Sequence, residues 1–395
     1  MQFRFENKIL DSDLRELWRG SELVSLEPQV FDLLLYLIQN RDRVVSKDDL
    51  IASVWGGRIV SDSTLDSRIN ATRKAVGDSG EEQRLIRTVA RKGVRFVCAV
   101  DEATKTETST SPKPATTSEQ EVHFCTASDG VRIAYALAGS GPPLVKTANW
   151  LNHLEYDWES PVWSHLLHAL AAEHRLIRYD ERGNGLSDWN VNDISFEAFV
   201  RDLETVVDAA KLDRFSLLGV SQGCPVSIAY AIRNPGRVSH LVLYGGYARG
   251  WRRRGDPAEI EKADAVQTLM RHGWGQENPE FRQIFTTRFM PSGTPEQMRW
   301  FNDLQRMTTS PDNAARIRRA NENIDITDLL PQIRIPTLVL HCRNDAAQPH
   351  EEGRILAAGI PGARFVTLEG HNHLILESDP CWTRFPDEIR VFLKA

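Results

Sequence analysis

A chain of 395 residues with 41% hydrophobic and 26% charged residues has the make-up of ordinary globular material, and its length suits two domains better than one. A formal net charge of −6 excludes a uniformly basic nucleic-acid binder, while leaving room for a local basic face. Five scattered cysteines without C-x-x-C spacing argue against a disulfide framework or a zinc site and fit a reducing cytoplasm. No stretch approaches the ~18 apolar residues of a membrane span, and MQFRFENKIL lacks the apolar core of a secretion signal. A cytoplasmic protein with no membrane partner, bound metal or cofactor is expected.

The opening segment alternates apolar and polar residues (Phe3, Phe5, Ile9, Leu10, Leu14, Leu17, Leu23, Val24, Leu26), which predicts short antiparallel strands with one wet face. Pro28 sits where a first helical residue would, ahead of Val30, Phe31, Leu34, Leu35, Leu37 and Ile38 at helical spacing. Ser46 is a good N-cap for a second helix carrying Leu50, Ile51 and Val54. After Trp55-Gly56-Gly57, a third helix is expected from Asp62 or Ser63. Leu65, Ile69, Thr72 and Val76 form its apolar face, and Gly77 ends it. Two β-rich runs, 85–89 and 94–97, joined by Ala90-Arg91-Lys92-Gly93, predict a hairpin.

Strands, three helices and a hairpin make a winged helix-turn-helix. Phe31-Asp-Leu-Leu, Arg43-Val-Val-Ser46, Leu50 to Trp55 and the hairpin strings Ile86-Arg-Thr-Val and Gly93-Val-Arg-Phe96 resemble the OmpR/PhoB-type transcriptional regulatory domain over residues 1–98. The resemblance implies that the third helix enters the major groove of double-stranded DNA and that the hairpin touches the minor groove. Ser63, Asp66, Ser67, Asn70 and Ala71 would then face base edges. Thr64, Arg68, Arg73 and Lys74 would face phosphates, and Arg95 would be the wing arginine. Val94 stands where the family carries an aromatic residue, and Asn70-Ala71 where many members carry arginines. Asparagine reads adenine bidentately, so a differently specified readout is expected. The basic excess of this region is modest, so homodimerisation is expected to help binding.

Residues 101–120 (DEATKTETSTSPKPATTSEQ) are too polar to offset their ordering entropy and read as a flexible linker between domains at 1–100 and 121–395. Beyond it, Ser128-Asp129-Gly130 turns a hairpin, and strands then alternate with helices: 143–147, 176–180, 215–220, 238–244, 337–342 and 364–368. That alternation implies a mostly parallel sheet covered on both faces.

One strand ends in Gly219-Val220-Ser221-Gln222-Gly223, a G-x-S-x-G between strand and helix, the pattern of a nucleophile elbow. Its reason is steric, since a serine on a strained turn needs neighbours without Cβ. Together with Asp180-x-Arg182-Gly183-x-Gly185-x-Ser187, Asp345 after a strand and Gly370-His-Asn-His373, it resembles the α/β-hydrolase fold from about residue 121 to the end. The order Ser221, Asp345, His373 is the Ser, acid, His order of that fold. His371 is a rival two residues away, but the family's Gly-x-x-His before an apolar residue falls on His373. The resemblance also implies an oxyanion hole from the backbone N–H groups of Gln222 and Trp150, with Asn149 either donating or narrowing the pocket. Trp158 reads as core. Residues 247–330, rich in Met and aromatic residues, look like a helical lid over a hydrophobic ligand or, more blandly, a subdomain with its own core. The basic tract 249–254 could contact an anionic ligand or DNA, but reads first as a solvated lid edge.

Two functions follow. In the first, a one-component DNA-binding regulator carries a hydrolase-fold domain that senses, with or without turnover, a small hydrophobic ester- or lactone-like ligand. In the second, a serine esterase, lactonase or thioesterase carries an accessory winged helix. An intact triad is required by the second and only permitted by the first.

Overall fold

Alternating short strands followed by amphipathic helices build the first of two compact units, Met1–Pro112 and Lys113–Ala395. The computed structural model describes residues 2–12, 16–20, 22–24, 26, 28–55, 62–89, 92–98, 100–103, 120–276 and 278–394. In the first unit the described residues form β1 (Gln2–Phe5), β2 (Lys8–Asp11), β3 (Glu16–Arg19), β4 (Glu22–Val24), α1 (Pro28–Gln39), α2 (Lys47–Trp55), α3 (Asp62–Ala75), β5 (Ile86–Val89), β6 (Gly93–Phe96) and β7 (Asp101–Ala103). The first sheet runs β4-β3-β2-β1-β7, and β5-β6 is a separate hairpin. Pro28 opens α1, where its missing N–H is harmless. Ser46 caps α2, with Ser46 Oγ accepting from Asp49 N–H at 3.1 Å and Asp49 returning a carboxylate to Ser46 N–H at 3.2 Å. Phe3, Phe5 and Leu10 pack with Phe31, Leu34 and Leu37 of α1, Leu65 and Ile69 of α3, and Ile86 and Phe96 of the hairpin. Burying each such side chain is worth roughly 1.5–3 kcal/mol.

One boundary differs from expectation. The linker was expected from Asp101, yet Asp101–Ala103 pairs with β1, Gln2 opposite Ala103. Val94, at the position where the family carries an aromatic residue, is buried and exchanges backbone hydrogen bonds with Val45 at 2.8 and 2.9 Å. Gly93 permits that approach, because a Cβ there would lie 1.9 Å from the Val45 carbonyl oxygen. The Gly56-Gly57 turn, Ala90-Arg91 and residues 104–119 lie outside the described residues.

In the second unit the elements are β8 (Glu121–Thr126), β9 (Arg132–Ala138), β10 (Pro143–Lys146), α4 (Leu154–Trp158), α5 (Ser164–Glu173), β11 (Arg175–Tyr179), α6 (Phe196–Ala209), β12 (Phe215–Val220), α7 (Gly223–Arg233) and β13 (Val238–Tyr244). Then come α8 (Trp251–Arg254), α9 (Pro257–Gly273), α10 (Glu280–Phe289), α11 (Pro295–Thr308) and α12 (Pro311–Glu322). After a 3-10 turn, Thr327–Gln332, the chain closes with β14 (Thr337–Cys342), α13 (His350–Gly359), β15 (Arg364–Leu368) and α14 (Arg384–Leu393). The sheet order is β15-β14-β13-β12-β10-β11-β9-β8, parallel except around β9. The apolar strands β12, β13 and β14 lie in its middle, buried on both faces as a helix-covered parallel sheet requires.

The helices α8–α12 interrupt strand-helix alternation where a lid was expected. Met270, Trp274, Phe285, Met290, Phe301 and Leu304 join one continuous core with the sheet, so the segment has no separate core of its own. The Asp180 motif is architectural. Asp180 accepts from Leu154 and Leu186 N–H, Ser187 Oγ donates to the Asp180 carbonyl at 2.6 Å, and Arg182 pairs with Asp202 at 2.7 Å. A Cβ on Gly185 would meet the Asp180 carboxylate at 2.1 Å.

Candidate functional site

The turn from β12 to α7 holds Ser221 at φ +52°, in a region that side-chain-bearing residues rarely occupy. Its N–H donates to the Tyr244 carbonyl at 2.9 Å, and its own carbonyl receives Cys224 N–H at 3.0 Å. A Cβ on Gly219 would lie 2.8 Å from Cys224 Cα, and one on Gly223 would lie 2.9 Å from the Ala148 carbonyl oxygen. Both glycines are therefore demanded by the turn.

Asp345 follows β14 and His373 follows β15, and the fold brings their side chains together. His373 Nδ1 and Asp345 Oδ2 are 2.7 Å apart, and both side chains are fully buried. The other carboxylate oxygen accepts from Ala347 and Gln348 N–H, each at 2.8 Å. Burial alone would raise the Asp345 pKa. The charge and hydrogen bond of His373, with His341 and Gln348 behind them, hold it below the ordinary aspartate value. With Nδ1 engaged, His373 Nε2 is left buried without a hydrogen-bond partner. His371, the sequence rival, is exposed. The lid reaches this loop directly, since the Phe289 carbonyl accepts from His373 N–H at 2.9 Å and Leu374 N–H at 3.3 Å.

The loop after β10 brings Trp150 next to the elbow, with an outcome that the sequence does not suggest. Trp150 N–H donates to the side-chain oxygen of Gln222, whose Nε2 donates at 2.6 Å to Glu181. The donor expected of an oxyanion hole is thus taken by the glutamine beside the serine. Burial pushes Glu181 up to about 8, against the pull of the Gln222 hydrogen bond, and so favours its neutral form. Asn149 neither donates to the pocket nor lines it: its Oδ1 accepts from the buried Lys146 Nζ. Trp158 is core, with its ring edge-on to His168.

Ser221, Trp150 and Gln222 line a cavity of about 70 Å³ with Trp251, Phe285 and Phe289 of the lid, and with Arg288, Arg318 and Glu322. The basic tract 249–254 is not simply a solvated edge. Trp251 faces this cavity, Arg249 pairs with Glu352, Arg252 pairs with Glu322, and Arg254 donates to Gln348. Gln222's side chain, Glu181, Arg288 and Arg318 were missed in sequence. The only signal for Glu181 was its place beside Asp180 at a strand end.

In the first unit, a groove of about 580 Å³ runs between α3 and the hairpin. It is larger than the Ser221 cavity, and its lining includes Ser46, Lys47, Asn70, Arg73, Thr88 and Lys92. Ser67, Asn70 and Lys74 are exposed on α3, Arg68 and Ala71 are half-buried, and Arg95 is exposed with its Nε donating to the Arg41 carbonyl at 2.9 Å. Ser63 and Thr64 lie in the first turn of α3, and their side chains are outside the described residues. Arg73 departs from its expected phosphate-facing position. It is buried and donates to the Ile86 carbonyl at 3.1 Å and Thr88 Oγ1 at 2.8 Å, tying helix to wing. Asp78 completes that joint by accepting from the N–H groups of Ser79, Arg84, Leu85 and Ile86 at 2.8–2.9 Å.

Residues 20–96 match the family model described as transcriptional regulatory protein, C terminal, and residues 154–380 match the alpha/beta hydrolase fold. The second unit is similar to the pimeloyl-[acyl-carrier protein] methyl ester esterase of Nitrosomonas europaea, 28% identical over 61% of this chain and 92% of that protein. It is also similar to a 2-hydroxy-6-oxononadienedioate/2-hydroxy-6-oxononatrienedioate hydrolase of Paraburkholderia xenovorans, 30% identical over 62% of this chain and 81% of that protein. Among solved structures, an esterase from Thermogutta terrifontis superposes with a TM-score of 0.56 at 26% identity, covering 69% of this chain and 98% of that one. With the mostly parallel sheet and the strand-to-helix serine turn already described, these matches make the chain a member of the α/β-hydrolase-fold family that carries an OmpR/PhoB-type winged-helix domain ahead of it.

Proposed function

We propose that this protein is a one-component transcription regulator. Its winged helix binds double-stranded DNA as a homodimer, and its hydrolase-fold domain senses a small ester- or lactone-like ligand at Ser221. The observation that carries this reading is the joining, in one chain, of a transcriptional-regulatory domain to a hydrolase-fold domain with a buried His373–Asp345 pair. Ligand energy that differs between two states of the second unit would shift the DNA affinity of the first.

The same site supports a reaction. Ser221 Oγ would bond to the ester carbonyl carbon while its proton passes to His373 Nε2, the nitrogen left without a partner. Asp345 fixes the tautomer and stabilises the imidazolium. Gln222 N–H would hold the oxyanion, and Trp150 N–H would join it once the Gln222 side chain turns away. His373 then returns the proton to the leaving alkoxide, and water hydrolyses the acyl-enzyme. The second reading, a serine esterase or lactonase with an accessory winged helix, draws support from relatives that bear esterase and hydrolase names.

The full-length wild type and Ser221→Ala test both readings, with DNA selected from a random duplex pool and hydrolysis followed on p-nitrophenyl acetate. The variant is expected to lose at least about 1,000-fold in turnover and to keep its DNA affinity. Wild type that selects no duplex at moderate salt overturns the regulator. A variant as active as wild type overturns the role of Ser221.

A further inference from the structure

The charges around the Ser221 cavity do not balance. Arg318 is neutralised by Glu322, Nε to Oε1 at 2.6 Å, and the other oxygen of Glu322 takes Arg252 at 3.2 Å. The next carboxylate, Glu352, is taken by Arg249 at 3.0 Å and Arg254 at 3.5 Å. Arg288 is left over. Among the described residues it forms no ion pair. Its guanidinium carbon lies 3.6 Å from the centre of the Trp251 ring, and it reaches only the Ala347 carbonyl, at 3.4 Å. Stacking on an aromatic face offsets part of the cost of a half-buried cation, but it leaves the hydrogen-bonding fork largely unused. A solvated surface arginine is the usual reading of such a side chain. Here the guanidinium instead lines the cavity that also holds the serine. Burial, and then the neighbouring Arg318 charge, press the Arg288 pKa down to about 10, the sign of a cation in want of an anion.

We propose that the ligand of this cavity carries a carboxylate, held by Arg288, on a small aromatic or otherwise apolar body that packs among Trp251, Phe285 and Phe289. The proposal rests on the reading of the Ser221 cavity as a ligand site, and it narrows the ligand from any hydrophobic ester to an acid-bearing one. A planar guanidinium suits a carboxylate bidentately. Aromatic walls suit a flat apolar group. At about 70 Å³ the cavity is smaller than the roughly 150 Å³ that takes up a benzene ring, so an aromatic acid would enter only as the side chains of α8 and α10 give way.

Phenylacetate and its neutral isostere phenylacetamide serve as probes, with binding to the full-length protein measured by titration calorimetry. Wild type is expected to bind the acid at least about tenfold more tightly than the amide, the gain of a charge-assisted hydrogen bond. Arg288→Met is expected to erase that preference, and Arg288→Lys to restore part of it. Equal binding of acid and amide by wild type, binding of neither, or a preference that survives in Arg288→Met overturns the proposal. Labelling of Ser221 by a fluorophosphonate, run in parallel, separates the two claims. Labelling without acid preference leaves the serine site standing and removes the anion site. Neither labelling nor binding removes both.

Discussion

The two units treat buried polar groups in opposite ways. At the joint of α3 and the wing, Asp78 receives four backbone N–H groups and Arg73 reaches a carbonyl and a hydroxyl. Among the described residues of the first unit, no buried side-chain nitrogen or oxygen lacks a partner. Around Ser221 the reverse holds. His373 Nε2 and Glu181 Oε1 are buried without partners, and Arg288 has no ion pair among the described residues. Satisfied polar groups rigidify a frame, whereas unsatisfied ones are tolerated where something else will arrive to meet them. The first unit spends its polar chemistry on shape, and the second holds part of it in reserve.

Asp78→Ala should break the first half of that comparison most severely. Four N–H groups would lose their acceptor, so a loss of about 3 kcal/mol is expected, read as faster hydrogen exchange at the amides of residues 84–86 and a lower melting temperature. Burial acts to raise the Asp78 pKa, but the four backbone hydrogen bonds outweigh it and the net shift is downward. Its contribution is therefore present above the unfolded value near 3.9 and lost as pH falls through the folded value.

Glu181→Gln tests the second half. A carboxyl with its folded pKa raised to about 8 supports the fold fully below the unfolded value, near 4.3, and less and less as pH climbs through the folded one. The amide should flatten the decline in melting temperature between about pH 4.3 and pH 8, adding about 2 kcal/mol at the alkaline end. An unchanged pH profile would mean that Glu181 is not held neutral.

How much of this was legible in sequence divides along the same line. The glycines flanking Ser221 and the strand ends before Asp345 and His373 are local signals, because a turn or a strand boundary is set by neighbours in the chain. The winged-helix elements were legible for the same reason, through Pro28, Ser46 and Gly77. Arg73 was misplaced because helical spacing gives a face but not what packs on it, and β5 happens to pack there. Gln222, Glu181 and Arg288 were illegible as a group. Their meaning comes from segments more than forty residues apart that only the fold brings together. The occupancy of Trp150 N–H belongs to the same class.

Gln222→Ala sharpens the comparison on the chemical side. Freeing Trp150 N–H should raise turnover of p-nitrophenyl acetate about tenfold, less than the effect of a whole oxyanion donor because the backbone N–H of residue 222 remains. A fall in turnover would assign the side chain a supporting role instead. The smallest effect is expected from Asn70→Ala on α3. About 1 kcal/mol of discrimination should vanish at a single base pair of a selected site, with affinity for other sequences little changed. A uniform loss across all sequences would instead mark Asn70 as a brace for Arg73, whose guanidinium it accepts at 3.2 Å.

The Phe289 carbonyl, which receives the amides of His373 and Leu374, has a mechanical consequence. Phe289 is the last residue of α10, and Arg288 is the one before it. A ligand held by Arg288 would pull on the residue next to the carbonyl that holds the His373 amide. If the proposed anion site and the proposed nucleophile both act, they are joined through this one peptide. Slower exchange of the His373 and Leu374 amides on ligand binding would be its signature.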